Sequence, residues 1–339
     1  MIKMLLIFVS LFQFMQDNWP DRVEEQLVRI EDKMDGELGV YVKNLADGQE
    51  LKFNSDEKWY FASTIKIPLG IAILQKVEAG ELSLDDELTL QETDFVDGSG
   101  DLIWQKPGKK YTIRELLIKM IKNSDSTATD MLIRLLGEEE FNEQIREHMV
   151  SKGINHITTI MQVRYDAYSE IHDNIQNISN MDIIRANSTD TRTERYNALL
   201  EMMKIDRNDA KVGSIEEAFE RYYERKLNSG KAEAMGTILE RLYKGELLNE
   251  AHTDFLLNVM KGVTTGDRRI KAGLPREVKF FQKTGTQVRR ACNMGIILPD
   301  GKPEEAIIVV THVKGYNFLS DAEKVLENVG KLLSTNFLE

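Results

Sequence analysis

Hydrophobic and polar positions change period several times along the chain, and the changes predict its elements. Residues 21–34 place Val23, Leu27, Ile30 and Met34 at 4-3-4 spacing, which predicts an amphipathic helix. ELGVYVKNLADGQELKFN then alternates and turns at Asp47-Gly48, the pattern of a β-hairpin. Residues 61–74 (FASTIKIPLGIAIL) are apolar nearly all round, so a helix there, ending near Gly80, is a buried one. A polar, turn-rich stretch containing Asp97-Gly98-Ser99-Gly100 follows. Residues 112–136 are helical in pattern, with an interruption at Asn123-Ser124-Asp125-Ser126.

Residues 183–230 form a long polar block of helical period. Its apolar face is Ile215, Ala218, Phe219, Tyr222, Tyr223 and Leu227, and Ser214 with Glu217 has capping-box spacing. Residues 232–262 are helical again. From Val278 two strand-like runs appear, FFQKTGTQV and GIILPDGKPEEAIIVVTHV, the second turning at Asp300-Gly301. A helix over 319–334 closes the chain. Strands at both ends and helices in the middle predict an α+β fold. One antiparallel sheet is built from both chain ends and packed with helices, with an all-helical subdomain inserted.

The N-terminus reads MIKMLLIFVSLFQFMQDNWP. Lys3 followed by an apolar run from Met4 to about Met15 has the length of a signal-peptide core and is short for a membrane span. Residues 1–17 are therefore expected to be a signal sequence or N-terminal anchor, the protein being exported to the periplasm or secreted. A buried N-terminal helix is the alternative. Residues 18–339 form the expected single domain, with a helical insertion at about 183–230.

Composition narrows the function. With 56 acidic and 44 basic residues, the chain carries a net charge of −12. Such a chain repels phosphate backbones, so no nucleic acid partner is expected. Five scattered histidines and one cysteine, Cys292, give no metal-ligand spacing and no intrachain disulfide. No metal and no cofactor are expected. The partner is a small-molecule substrate, and the sequence says nothing of oligomeric state.

The candidate chemistry begins with Lys66 in the buried helix. Ser63 and Lys66 are three residues apart and share a helix face. Burial and the positive end of the helix dipole both favour a neutral amine. A neutral amine beside a hydroxyl is a general base beside a nucleophile, whereas a lysine that snorkels to the surface is the plainer alternative. Two further motifs bear on the choice: Ser124-Asp125-Ser126, in a break between helices, and Lys283-Thr284-Gly285-Thr286, on a predicted strand. Each alone reads as a cap or a strand end. The three in this order and in these local structures form a specific constellation.

On these motifs the chain resembles the penicillin-recognising serine hydrolases, and most closely the class A β-lactamases. GELSLDDELTL, TGDRRIKAGLP, YKGELLNEAHTDFLLNVM and PDGKPEEAIIVV are also similar to class A segments. The resemblance covers most of residues 21–160 and 231–335. It implies a β-lactamase/transpeptidase-like fold and an acyl-enzyme on Ser63. Lys66 would accept the serine proton, and Ser124 would pass a proton to the leaving nitrogen. Lys283 and Thr284 would hold the substrate carboxylate. The N–H groups of Ser63 and Thr286, with Gly285 between the motif's polar residues, would form the oxyanion hole.

Three departures qualify the resemblance. Ser126 stands where class A enzymes have asparagine, and a hydroxyl lacks the amide's paired donor and acceptor. The deacylating glutamate of class A is matched in spacing by Glu170 and Asn174, but Ile171 replaces the family's proline. Asp166 is a second candidate, and a solvated loop carboxylate is the plain alternative. The insertion has no class A counterpart; it suits a roof over the site, a partner surface or a structural cover. Class D enzymes share S-T-x-K-I-P, but the second motif and the C-terminal half favour class A. Arg289 and Arg290 offer a further carboxylate contact, of which alternation turns only one inward. Cys292 is expected to be a packed residue and not a nucleophile. The leading activity is β-lactam hydrolysis. The alternatives are a DD-peptidase-like or esterase-type hydrolase acting on a peptidoglycan-like amide or ester, or a non-catalytic ligand-binding relative.

Overall fold

A computed structural model describes residues 18–299 and 302–338. The leader segment 1–17 and the turn at 300–301 lie outside the described residues. In chain order the first elements are α1 (Trp19–Glu31), β1 (Glu37–Asn44), β2 (Glu50–Phe53) and β3 (Trp59–Tyr60). A 3₁₀ turn, Ala62–Ile65, runs into α2 (Lys66–Glu78). A small ribbon, β4 (Glu87–Thr89) with β5 (Lys110–Thr112), precedes α3 (Ile113–Lys122), α4 (Ser126–Leu136), α5 (Glu138–Gln144) and α6 (Ile160–Ser169). The insertion holds α7 (Asn180–Asn187), α8 (Arg192–Met203) and α9 (Ile215–Glu224). Next come β6 (Ser229–Gly230), which pairs with β3, then α10 (Ala232–Tyr243) and α11 (Glu250–Lys261). The chain ends with β7 (Lys279–Gln287), β8 (Arg290–Leu298), β9 (Ile307–Lys314) and α12 (Leu319–Phe337).

The main sheet runs β2-β1-β9-β8-β7 and is antiparallel throughout. It is built from both ends of the chain, as the pattern of strands predicts. Alternate residues face opposite sides. Val40, Val42, Ile297 and Val309 pack against α1 and α12, beside Val23, Leu27, Val329 and Leu333. Tyr41, Ile296, Ile308 and Val310 face the helical part of the molecule. Both faces are covered, so the strands read as continuous apolar runs such as AIIVV and not as alternating ones. β8 begins earlier than the sequence pattern suggests. Arg289, at φ +52°, makes a tight turn, and RACN is already paired to both neighbours.

Two local features position the site. β7 is the sheet edge, and it lies against the 3₁₀ turn that carries Ser63. A Cβ on Gly285 would lie 2.5 Å from the Cys292 sulfur and 2.9 Å from Ala62 Cβ, so this approach requires a glycine. The second feature is α6, where the sequence suggests a loop. Its helical pattern is obscured because the buried face, Met161, Val163, Arg164, Ala167 and Tyr168, carries a charged residue, Arg164, in the middle of its stripe. Its N-terminus is fixed by a carboxylate. Asp130 on α4 accepts from the N–H of Ile160 (2.8 Å) and of Met161 (2.9 Å), while Thr159 caps with its own side chain.

The insertion is ordered and docked. Ser214 caps α9 as predicted, but Glu217 turns to the Gly213 N–H instead of closing the box. Ile215, Ala218, Phe219 and Tyr222 are buried. Phe219 meets Tyr168 of α6 edge-on at 6.0 Å, and Tyr222 meets Tyr60 at 6.1 Å. Tyr223 donates to the Val288 carbonyl (2.8 Å), and Arg290 forks onto Glu220. The segment therefore braces α6 and the end of β7 from outside.

The α6 anchor gives a test. Asp130→Ala leaves two buried N–H groups unpaired, and should lower stability by about 2–4 kcal/mol. Urea unfolding midpoints measure it, and Asp130→Asn, which keeps one acceptor, should recover part of the loss.

Candidate active site

Ser63 sits in the 3₁₀ turn just ahead of α2, half-buried and at the mouth of a cavity. Ala62 before it is held at φ +48°, a left-handed conformation unusual for a residue with a Cβ. Ser124 is likewise left-handed, at φ +56°. Strain of this sort persists only where surrounding contacts enforce it. Asp125 supplies them. Its Oδ1 accepts from the Ala128 N–H (2.8 Å), capping α4, and its Oδ2 accepts from Asp101 N–H (2.9 Å) and Leu102 N–H (3.0 Å). The loop around residue 100 presses so close to this carboxylate that a Cβ on Gly100 would lie 2.1 Å from Oδ2.

Ser124 is the hub of the second and third motifs. Lys66 Nζ donates to the Ser124 carbonyl (2.6 Å) and to its Oγ (3.1 Å). Lys283 Nζ donates to the same Oγ (3.0 Å) and to the Thr284 carbonyl (2.9 Å). Both lysines are fully buried. Burial pushes Lys66 down to about 7, against the pull of Asp125 and Asp130. Burial, helped by Lys66, also pushes Lys283 well below the ordinary lysine range. The snorkelling alternative for Lys66 does not fit this geometry. Burial likewise pushes the Asp130 carboxyl up to about 7, opposed by its two N–H donors.

Ser126 and Thr286 line the same cavity as Ser63. Thr284 Oγ1 is hydrogen-bonded to Thr265 (2.5 Å). Thr286 Oγ1 accepts from Arg269 Nη2 (2.6 Å), whose Nη1 also holds the Gly285 and Cys292 carbonyls (2.8 and 2.9 Å). Arg269 is 4% exposed and fixes the end of β7. Sequence reasoning missed it. Its only signal is its place inside TGDRRIKAGLP, where Arg268 beside it is exposed and Arg269 is not.

Other candidates lie elsewhere. Glu170 does not line the cavity; Arg225, at the end of α9, grips its carboxylate and reaches Asp166 at 3.6 Å. Asn174 donates to the Met203 carbonyl on α8. The E-x-x-x-N pair thus faces the insertion. From α6 the cavity receives Ile160, Val163 and Arg164, and no aspartate or glutamate is among its lining residues. Neither arginine after the third motif reaches the cavity. Arg289 donates to the Gly315 and Tyr316 carbonyls, and Arg290 stacks over Tyr223 at 4.1 Å while paired with Glu220. Cys292 is buried against the Phe61 carbonyl (3.0 Å), and burial pushes its thiol up to about 11, which makes it a packing residue and not a nucleophile. Among the described residues no group of three or more His, Cys, Asp or Glu is placed to hold a metal ion.

The geometry has clear relatives. The profile of the Beta-lactamase enzyme family matches residues 22–337. β-Lactamase VEB-1 of Pseudomonas aeruginosa is 24% identical across 99% of this chain and 98% of its own length. β-Lactamase ROB-1 of Haemophilus influenzae is 24% identical across 91% and 82%. Among solved structures, the extended-spectrum β-lactamase TLA-1 superposes with a TM-score of 0.71 at 19% identity, covering 94% of this chain and 99% of that one. The acyl-enzyme complex of a PBP-A point mutant with penicillin G does so at 0.69 and 21%, covering 94% and 96%. The fold is the β-lactamase/transpeptidase-like one, and the chain belongs to the Beta-lactamase enzyme family, as a serine hydrolase resembling its class A members.

Proposed function

We propose that this protein opens β-lactams by forming an acyl-enzyme on Ser63, and that release of the acyl group is its slow step. The carrying observation is the Ser124 hydroxyl, hydrogen-bonded to two buried amines, one of them Lys66, three residues after Ser63. Neutral Lys66 takes the Ser63 proton as Oγ attacks the lactam carbonyl. The developing oxyanion is met by the N–H groups of Ser63 and Thr286. When the C–N bond breaks, the nitrogen takes its proton from Ser124, which is resupplied through the amines. Lys283, Thr284 and Gly285 on β7, braced by Arg269, bind the substrate carboxylate, and Ser126 contacts its acyl side chain.

Deacylation needs a base for the incoming water, and the cavity wall formed by α6 offers Ile160, Val163 and Arg164. This favours slow hydrolysis. The same observation favours a second reading, a DD-peptidase-like hydrolase that β-lactams trap as long-lived adducts. Residues 18–339 act as one β-lactamase-like unit with a bracing helical insertion. We also assign residues 1–17 as an export signal or anchor, on Lys3 and the apolar run after it.

Intact-mass time courses with excess benzylpenicillin test the reading. The expected result is one adduct, absent in Ser63→Ala, that decays over minutes to hours as hydrolysed drug appears. No adduct and intact drug overturn it. An adduct that never decays selects the second reading. The mass of the protein recovered from the exported fraction shows whether the leader is removed.

The pH dependence follows from Lys66. Only the unprotonated amine is a base, and its population grows as pH rises through about 7. Acylation rate should therefore climb between pH 6 and 8 with a midpoint near 7, within about one unit. Stopped-flow kinetics with a chromogenic cephalosporin measures it. A flat profile across this range would remove Lys66 from the base role.

A further inference from the structure

Arg164 is an unusual residue to find in the wall of a small polar cavity. It is 7% exposed and lines the cavity that holds Ser63. It does not satisfy its full hydrogen-bonding capacity. Nε and Nη2 fork onto Asp97, at 2.7 Å to Oδ1 and 3.1 Å to Oδ2, but Nη1 is buried without a partner. A guanidinium N–H left unpaired in a buried place is costly, and a ligand acceptor would recover that cost.

The surroundings say what kind of acceptor. Asp97 alone would neutralise Arg164, but a second guanidinium stands behind it. Arg195, on α8 of the insertion, donates to the Asn187 carbonyl (3.2 Å) and acts electrostatically on both Asp97 and Tyr168. Burial pushes the Asp97 carboxyl up, and Arg164 with Arg195 more than reverses this, holding it below the usual range. Asp97, held below the usual range, is the ionised carboxylate facing the two arginines; Asp130 also acts on Arg164, but burial pushes its carboxyl up to about 7. Another buried donor in the group, Arg195 Nε, is also unpartnered, while Asn187 helps hold the Asp97 carboxyl down. Lys66 and Lys283 do not serve an anion at this wall, since both are bound to Ser124 and neither lines the cavity as Arg164 does. Arginine stays charged.

We propose that Arg164 is an anion subsite in the α6 wall of the Ser63 cavity, selecting substrates that carry a carboxylate on the acyl side. It rests on the acyl-enzyme reading above and adds the substrate class. A planar carboxylate accepts from Nη1 while Asp97 keeps the other edge of the fork. The insertion enters the chemistry indirectly, by placing Arg195 where it helps hold the Asp97 carboxyl below its usual range.

Three penicillins that differ at one carbon test this: benzylpenicillin with hydrogen, carbenicillin with carboxylate and ampicillin with ammonium on the side-chain α-carbon. Second-order rates of adduct formation on Ser63 are read by intact mass. The expected order is carbenicillin, benzylpenicillin, ampicillin, with the first at least about tenfold above the second, the size expected for one well-placed charged hydrogen bond. In Arg164→Lys, which keeps a cation for Asp97 but loses the fork, the carbenicillin-to-benzylpenicillin ratio should fall to about two or below. The double variant Asp97→Asn/Arg164→Gln, which leaves no buried charge unpaired, should do the same. Ratios cancel any loss of folded protein. Equal rates for carbenicillin and benzylpenicillin on the unaltered protein would overturn the subsite and leave the acyl-enzyme reading standing. A preference that survives in both variants would also overturn it. No adduct with any of the three would overturn both.

Discussion

Two lysine side chains, both fully buried, share one serine hydroxyl, and most of the site is arranged to make that arrangement tolerable. Two ammonium groups this close and this dry would repel strongly, and each would lose several kcal/mol of hydration. The protein avoids the penalty by letting the amines lose protons. Lys66 falls to about 7 and Lys283 lower than its ordinary range. A structural problem, where to put two charges without water, thereby becomes a chemical property, a base poised at neutral pH. The hub depends on backbone that is itself strained. Ser124 is left-handed, and Asp125 holds it there by tying α4 to the loop at residues 101 and 102. Asp125 therefore bears on the reaction without touching a reacting atom.

The same logic of buried charge recurs in the arginines. Arg269 is buried at the sheet edge and spends its guanidinium on two carbonyls and a hydroxyl, which rigidifies β7 beside Ser63. Arg164 is buried in the opposite kind of place, facing a cavity, with one donor left over. Arg269 also keeps one buried donor, Nε, without a hydrogen-bond partner, but it lies at the sheet edge 3.7 Å from Glu323, whereas Arg164 lines the Ser63 cavity.

The sequence discloses the fold well because its signals are local. The alternating hairpin run near the N-terminus, the Asp47-Gly48 turn and the apolar α2 each belong to a single short segment. The three catalytic motifs are legible for the same reason, since each is four residues or fewer and its local structure follows from its neighbours. What is not legible depends on partners distant in sequence. Glu170 has the spacing of a catalytic carboxylate, but spacing cannot say which side of α6 it leaves, and Arg225 decides that from 55 residues away. α6 itself is hidden because its buried face includes the charged Arg164, which interrupts the apolar stripe. Arg164 and Arg269 look like ordinary surface cations until Asp97 and the β7 carbonyls are brought to them. The absence of an alternating pattern in β8 and β9 has the same origin, a second layer of helices that a strand's own residues do not announce.

The insertion links these points. In ordinary reasoning an added helical segment near a catalytic pocket is a lid. Here α9 lies behind α6, and its C-terminal Arg225 takes both acidic residues that α6 offers, Asp166 and Glu170. Docking α9 and removing carboxylates from the cavity are one physical event, because an exposed-side ion pair to Arg225 and a place beside Ser63 cannot be occupied by the same side chain. The insertion also supplies Arg195 behind Asp97, where it helps hold that carboxyl below its usual range. From α6 the Ser63 cavity is lined by Arg164 and by neither Asp166 nor Glu170. In the proposed mechanism, slow deacylation and selection of acidic acyl groups share one cause, the segment packed against the far side of α6.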